Sequence, residues 1–217
     1  MSIFRAIIPL IIFGLAAQAT AADRRYSVSD FDKIRVVGAS NVVIDQARAT
    51  TVRASGNREA LDLLSVEVLD RVLTVQPIAG NAVTEPRRNL GAVTLFITAP
   101  SLNGVKLNGS GAIKIAVIKA TQADISLTGS GQITVATVAV DRLSARLSGS
   151  GTLALTGKAL SVDANIKGSG NVVAASLDVA DLKLMAASSG LISMSAKRSA
   201  MITSTGPGTI AVTGGPS

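Results

Sequence analysis

The sequence contains no cysteine and no histidine. The first absence excludes a disulfide framework, a thiolate metal centre, a cysteine nucleophile and a lipid attached through sulfur. The second removes the commonest general base and the commonest transition-metal ligand. What survives for catalysis is a carboxylate pair, a lysine-assisted serine, or Ca²⁺ with arginine. Tryptophan is missing too, and aromatics make up 2% of a chain that is 47% hydrophobic. The core must therefore be built from Val, Ile, Leu and Ala. Such layers suit stacked strands, where like side chains lie over one another at about 4.8 Å.

Long apolar runs are also scarce. The exception is the N-terminus, where Arg5 precedes Ile7 to Ala17, interrupted by Pro9 and Gly14, and Ala19-Thr20-Ala21 fits the small-x-small rule for cleavage. Residues 1–21 are expected to be a signal peptide and Ala22 the start of the mature chain. The run is shorter than the ~20 residues a spanning helix needs, and no later stretch escapes interruption by polar residues. An exported protein of the periplasm or cell surface is expected, with no membrane span after cleavage. Removing the leader leaves 20 basic and 14 acidic residues. They are scattered and not interleaved with aromatics, which argues against nucleic-acid binding; mild basicity suits an anionic surface or polysaccharide.

What the sequence has in abundance is a repeat. Gly-Ser-Gly begins at Gly109, Gly129, Gly149 and Gly168, followed by the degenerate Ser188-Ser189-Gly190 and Gly206-Pro207-Gly208, at spacings of 20, 20, 19, 20 and 18 residues. Four and six residues after each start come apolar positions such as Ile113 and Ile115, Ile133 and Val135, or Leu153 and Leu155. Two and four residues before come Leu107 and Val105, Leu127 and Ile125, or Leu147 and Ala145. Alternation on both sides of a glycine triplet means two short strands per repeat with a corner between them. The outward columns are small and polar: Asn108, Thr128, Ser148; and Lys106, Ser126, Arg146. This pattern predicts a parallel β-solenoid with repeats of about 20 residues, in which each coil buries its face only by stacking on the next. A short β-propeller or a sandwich is the alternative. The serines are expected to stack and hydrogen-bond along the corner; as nucleophiles they lack an activating base.

The earlier half is less regular. Ile34 to Ile44, around Gly38-Ala39-Ser40, echoes the repeats. Val66-Glu67-Val68-Leu69 and Val72-Leu73-Thr74-Val75, joined by Asp70-Arg71, read as a hairpin. Arg58 to Leu64 reads as a short helix capped by Asn57, and residues 78–90 as a loop. Residues 22–217 are expected to form one domain: a β-rich N-terminal part over 22–92 that caps one end, and regular coils over 93–217.

The opening Phe31-Asp32-Lys33-Ile34-Arg35-Val36, the Leu69-to-Val75 hairpin, the segment Val93 to Leu102, the tandem Ser-Gly triplets and the closing Gly214-Gly215-Pro216 together resemble the head GIN domain family of auto-transporter adhesins, also catalogued as a domain of unknown function. The resemblance runs from about Phe31 to Pro216. It implies a right-handed parallel β-helix with an adhesive role, and it defines no functional residues to transfer.

On this basis the expected function is a non-catalytic binding or adhesion module of the cell envelope. Its repeated outward columns would contact envelope polysaccharide or another anionic surface, with Lys106, Arg146 and Lys167 contributing. The alternatives are a polysaccharide-active β-helix enzyme and a purely structural envelope protein. An enzyme needs clustered carboxylates. Asp124 and Asp163 share an outward column but Ser144 separates them, at about 10 Å for two coils, and Asp178 and Asp181 read as solvent-facing residues of a coil turn. Ca²⁺ binding between coils fails for want of the repeated aspartate. No catalytic residue, metal or cofactor is assigned.

Overall fold

The structure is a computed structural model, described here for residues 22–78 and 91–215; the expected signal peptide and most of the expected 78–90 loop lie outside this range. Of the described residues 73% are strand and 3% helix, and they form a β-solenoid of about six turns with a β-rich N-terminal region. In chain order the early elements are β1 (Ala22–Tyr26), β2 (Lys33–Gly38), β3 (Asn41–Gln46), β4 (Thr51–Gly56), α1 (Arg58–Asp62), β5 (Leu64–Leu69), β6 (Val72–Pro77), β7 (Thr94–Ala99) and β8 (Gly104–Gly109). The repeats then supply β9 (Ala112–Gly129), β10 (Gln132–Gly149), β11 (Thr152–Gly168), β12 (Asn171–Ala174), β13 (Leu177–Ser188), β14 (Leu191–Ser195), β15 (Ser199–Thr205) and β16 (Thr209–Thr213).

The glycine corner sets the stacking. Gly129 has φ +113°, and a Cβ placed on it would lie 2.5 Å from the carbonyl oxygen of Gly109 one coil below. That oxygen instead receives the backbone N–H groups of Ser130 at 3.2 Å and Gly131 at 2.9 Å. The same bond recurs from Ser110 to Gly38, Ser150 to Gly129, Ser169 to Gly149 and Ser189 to Gly168. The hydrogen-bonded ladder along the corner is therefore main chain. The serine hydroxyls face solvent, and among the described residues none bonds to another in this column. A hydroxyl ladder was expected, but the backbone groups sit closer to the axis of stacking and take the role.

Between corners the chain does not break into two separate strands. It runs as one bent strand of 17 or 18 residues in β9, β10 and β11, paired in parallel with the coil on either side. The spacing of 19 also has a physical reason. β11 is one residue short, the register shifts between Val135 and Val138, and Gly157, at φ +128°, passes against the Val138 carbonyl. Inward columns such as Val36, Leu107, Leu127, Leu147, Ile166 and Ala186 are 0–4% exposed. Each fully buried aliphatic chain contributes on the order of 1.5–3 kcal/mol. The degenerate fifth and sixth triplets hold register as well, β14 on β12, β15 on β13 and β16 on β14. In the fifth, the Ser188 hydroxyl accepts the Gly190 N–H at 3.0 Å.

The N-terminal part corrects the expected boundary. The stack does not begin at Val93. β2 and β3, joined at Gly38 (φ +103°), are themselves a rung: β2 pairs in parallel with β8 and β3 with β9. A further rung, β6 and β7, lies on their other side. After β1, the chain thus enters the second rung, leaves to build the end, returns as the first rung, and then steps past the second to start the third. The end is covered by the antiparallel strands, β1 on β4, β4 on β7 and β5 on β6, together with α1, whose Leu61 is buried. The hairpin turn at Asp70 and Arg71 has positive φ at both residues, 50° and 62°, as a two-residue type I′ link demands. The short helix α1 starts at Asn57, whose side chain accepts the Glu59 N–H at 2.9 Å.

Gly129→Ala should cost roughly 3 kcal/mol or more, because positive φ and a collision with backbone act together. Gly91→Ala has a strained φ of +76° but nothing within 4 Å, and should cost only about 1 kcal/mol. Chemical denaturation of the two variants checks this; equal losses would contradict the account of the corner.

Candidate functional site

The outward residues of the strand segments preceding each corner form a flat polar face. Parallel register places Gly104, Asp124, Ser144, Asp163, Lys183 and Met201 in one column. Gln122, Arg142, Ser161, Asp181 and Ser199 form the column on one side. Lys106, Ser126, Arg146, Asn165, Met185 and Thr203 form the column on the other. These columns line a shallow groove of about 770 Å³ that crosses five coils from Gln122 to Met201. The strands hold the side chains at fixed spacing, about 4.8 Å from coil to coil and about 6.6 Å from one outward residue to the next on a strand.

Charges on this face divide into paired and unpaired groups. Arg146 Nη1 donates to Asp124 Oδ1 at 3.0 Å from the coil above. Arg198 Nε donates to Asp181 Oδ1 at 2.9 Å, with a second guanidinium contact to Oδ2, and Ser199 Oγ donates to Asp181 Oδ1 at 2.7 Å. The Arg198 bonds, then the Ser199 bond, hold the Asp181 carboxyl down at about 2. On the adjoining edge, Lys197 Nζ donates to Asp178 Oδ2 at 2.7 Å. Among the described residues the side chains of Arg142, Asp163 and Lys183 have no hydrogen-bond or ion-pair partner, although all three face the groove.

Of the residues singled out from sequence, Asp124 and Asp163 do share a column with Ser144 between them. Asp124 is engaged by Arg146, so the two carboxylates do not form an acid/base pair. Asp178 and Asp181 are not in a coil turn. Both lie within β13, facing cations one coil on, because the turn of this coil falls earlier, at residues 175–176 between β12 and β13. Lys106 and Arg146 lie in one column of the face, with Lys167 in the column beside it. Arg142 and Lys183 were missed by sequence reasoning; the signal was available, seven and five residues before their triplets. No cluster of three or more metal-ligating side chains occurs among the described residues, and no described helix is long and apolar enough to cross a membrane.

A stack of parallel coils, an antiparallel cap and a shallow face of repeated polar columns define a β-solenoid surface module. The model of the family described as putative auto-transporter adhesin, head GIN domain, matches residues 30–216, and the chain belongs to that family. Among solved structures, a putative adhesin from Bacteroides fragilis is similar at TM-score 0.85 and 24% identity, covering 92% of this chain and 91% of that one. A putative lipid binding protein from Parabacteroides distasonis is similar at TM-score 0.64 and 19% identity, over 88% of this chain and 96% of that one. A putative adhesin from Parabacteroides merdae is similar at 0.60 and 17%, over 88% and 95%. At these identities the likeness is one of fold. The family and these structures are named as adhesins or lipid-binding proteins and not as enzymes. No curated protein matches the sequence.

The Asp181 carboxyl offers a direct check. Its folded pKa of about 2 is below the ordinary value of 3.8, so its contribution to stability is present above about pH 4 and lost as pH falls through 2. A carbon-detected NMR titration should show that midpoint, and Arg198→Gln should move it back up toward 3.8, leaving only the Ser199 bond. A midpoint unmoved by the substitution would contradict the assignment.

Proposed function

We propose that the protein is an exported, non-catalytic adhesion module of the cell envelope that holds a polymer across the coils of the polar groove. The carrying observation is the presence of exposed, unpaired charged side chains, Arg142, Asp163 and Lys183, on successive coils and interleaved with Ser144, Ser161 and Asn165. A chain laid along the solenoid axis meets a donor or acceptor at each coil, so weak contacts add by multivalency without one deep pocket. The two unpaired cations against one unpaired anion favour a polymer bearing carboxylate, sulfate or phosphate, and envelope polysaccharide has that chemistry. The family name and the adhesin names among its structural neighbours support this reading. Cleavage chemistry finds little support. Asp124 is committed to Arg146, Asp163 lies two coils away, and inverting hydrolysis needs two free carboxyls about 6.5–9.5 Å apart.

Purified protein should be screened on glycans, peptidoglycan and lipopolysaccharide, with product analysis of the same mixtures. Binding should weaken as salt rises, and Arg142→Ala with Lys183→Ala should weaken it by about tenfold, the equivalent of 1.4 kcal/mol, with no products formed. Saccharide products that vanish on Asp124→Asn or Asp163→Asn would overturn the proposal in favour of an enzyme.

A further inference from the structure

The two ends of the described solenoid are not alike. At the first rung, antiparallel strands and α1 cover the core, and the covering elements are charged: Arg24 pairs with Asp62, Arg53 with Asp23, and the Arg53 guanidinium lies 5.0 Å from the centre of the Phe96 ring. At the last described rung, β15 and β16, nothing within the described residues covers the core or pairs with the outer strand edge. The inward column that keeps Leu184 at 0% exposed leaves Ile202 at 42%, and Ile210 and Val212 are only half-buried where Ile192 and Met194 are buried. Met185, Leu191 and Met201 are exposed around the same end.

The edge also lacks the devices that keep sheet edges apart. Residues 199–215 contain no Asp, Glu, Lys or Arg, and neither strand contains proline. Charged side chains, prolines or bulges are the usual protection against edge pairing. Two physical demands identify the occupant. Unpaired backbone N–H and C=O groups are satisfied by water or by an added strand, and burial against hydrocarbon would satisfy neither, so a strand suits this edge and a lipid surface does not. Half-exposed aliphatic residues at the mouth of a coil need a facing aliphatic interior of the same cross-section. The first end of another molecule offers the strand edges of β1 and β5, but these carry Asp23, Arg24, Arg25 and Glu67, and the core behind them is covered, so it presents no facing aliphatic interior.

We infer that the last rung docks against the last rung of a second copy of this chain. A two-fold axis normal to the sheets sets each strand antiparallel to its own counterpart, and an uncharged end meets itself without like-charge repulsion. Because the other end is covered, the assembly closes at two copies and does not grow into a fibre. Such a dimer would place two polar grooves end to end, but the inference does not rest on the polymer reading: a dimer that binds no glycan leaves it intact.

Sedimentation velocity over a concentration series, with hydrogen exchange on the same samples, tests it on the purified protein. A monomer–dimer equilibrium is expected, with amides of residues 199–213 gaining protection as the dimer forms. Ile202→Lys should raise the dissociation constant by ~10-fold or more, by facing like charges across the edge. Met201→Lys should do the same from an outward position, 67% exposed, where the fold is not at stake. A monomer at every concentration would overturn the inference. So would a dimer indifferent to Met201→Lys, which would place the contact elsewhere.

Discussion

The structure depends on one steric fact: at the corner, the carbonyl oxygen of one coil occupies the space that a side chain of the next coil would need. Gly111, Gly131, Gly151 and Gly170 face the carbonyl of the residue one coil below, and Gly109, Gly129, Gly149 and Gly168 do so with φ between +108° and +142°. Only glycine satisfies both conditions without strain. Once the corner is fixed, the alternation of the flanking residues leaves one choice of face. A slip by one residue would turn Leu107, Leu127 and Leu147 out into water. The aliphatic columns and the register of the polar face therefore inherit their positions from a main-chain contact that carries no side-chain chemistry of its own.

This explains what was legible in advance and what was not. The triplets and their flanking columns could be read directly, as could the hairpin at Asp70-Arg71 and the Asn57 cap, because each is local and has its own residue signature. The place of the β2–β3 rung was only half visible. Ile34, Val36, Val42 and Ile44 follow the repeat template about Gly38, but nothing local says that their partners, Val105, Leu107, Ile113 and Ile115, lie some seventy residues on. The β6–β7 rung has no triplet in its described residues, so its membership in the stack emerges only from pairing. Asp178 and Asp181 were misplaced because Asp-x-x-Asp near a predicted bend reads as turn, whereas Val179 and Leu182 between and beside them are buried and keep the segment in strand.

The polar face follows from the same logic. Outward residues on a solenoid are free of the corner's constraint, so charge varies along each column while its spacing does not. Some of those charges neutralise one another across coils, as Asp124 and Arg146 do, and exposed pairs of this kind contribute at most about 1 kcal/mol. Others remain open to an outside partner. A surface of this kind suits extended, repetitive ligands better than a small molecule, because no described cavity encloses one and successive coils offer a succession of similar contacts.

The central claim is that the interior coils are equivalent units held in place by the corner. The most direct test removes residues 132–151. This joins Gly131 to Thr152, and the register then sets Thr152 over Ala112 as Gln132 is now. If the coils are equivalent, the shortened protein folds cooperatively, keeps its β-sheet circular dichroism, and is shorter by one coil spacing of about 4.8 Å in small-angle scattering. An unfolded or aggregated product, beside a well-folded parent, would contradict the claim and show that the coils depend on contacts beyond their neighbours.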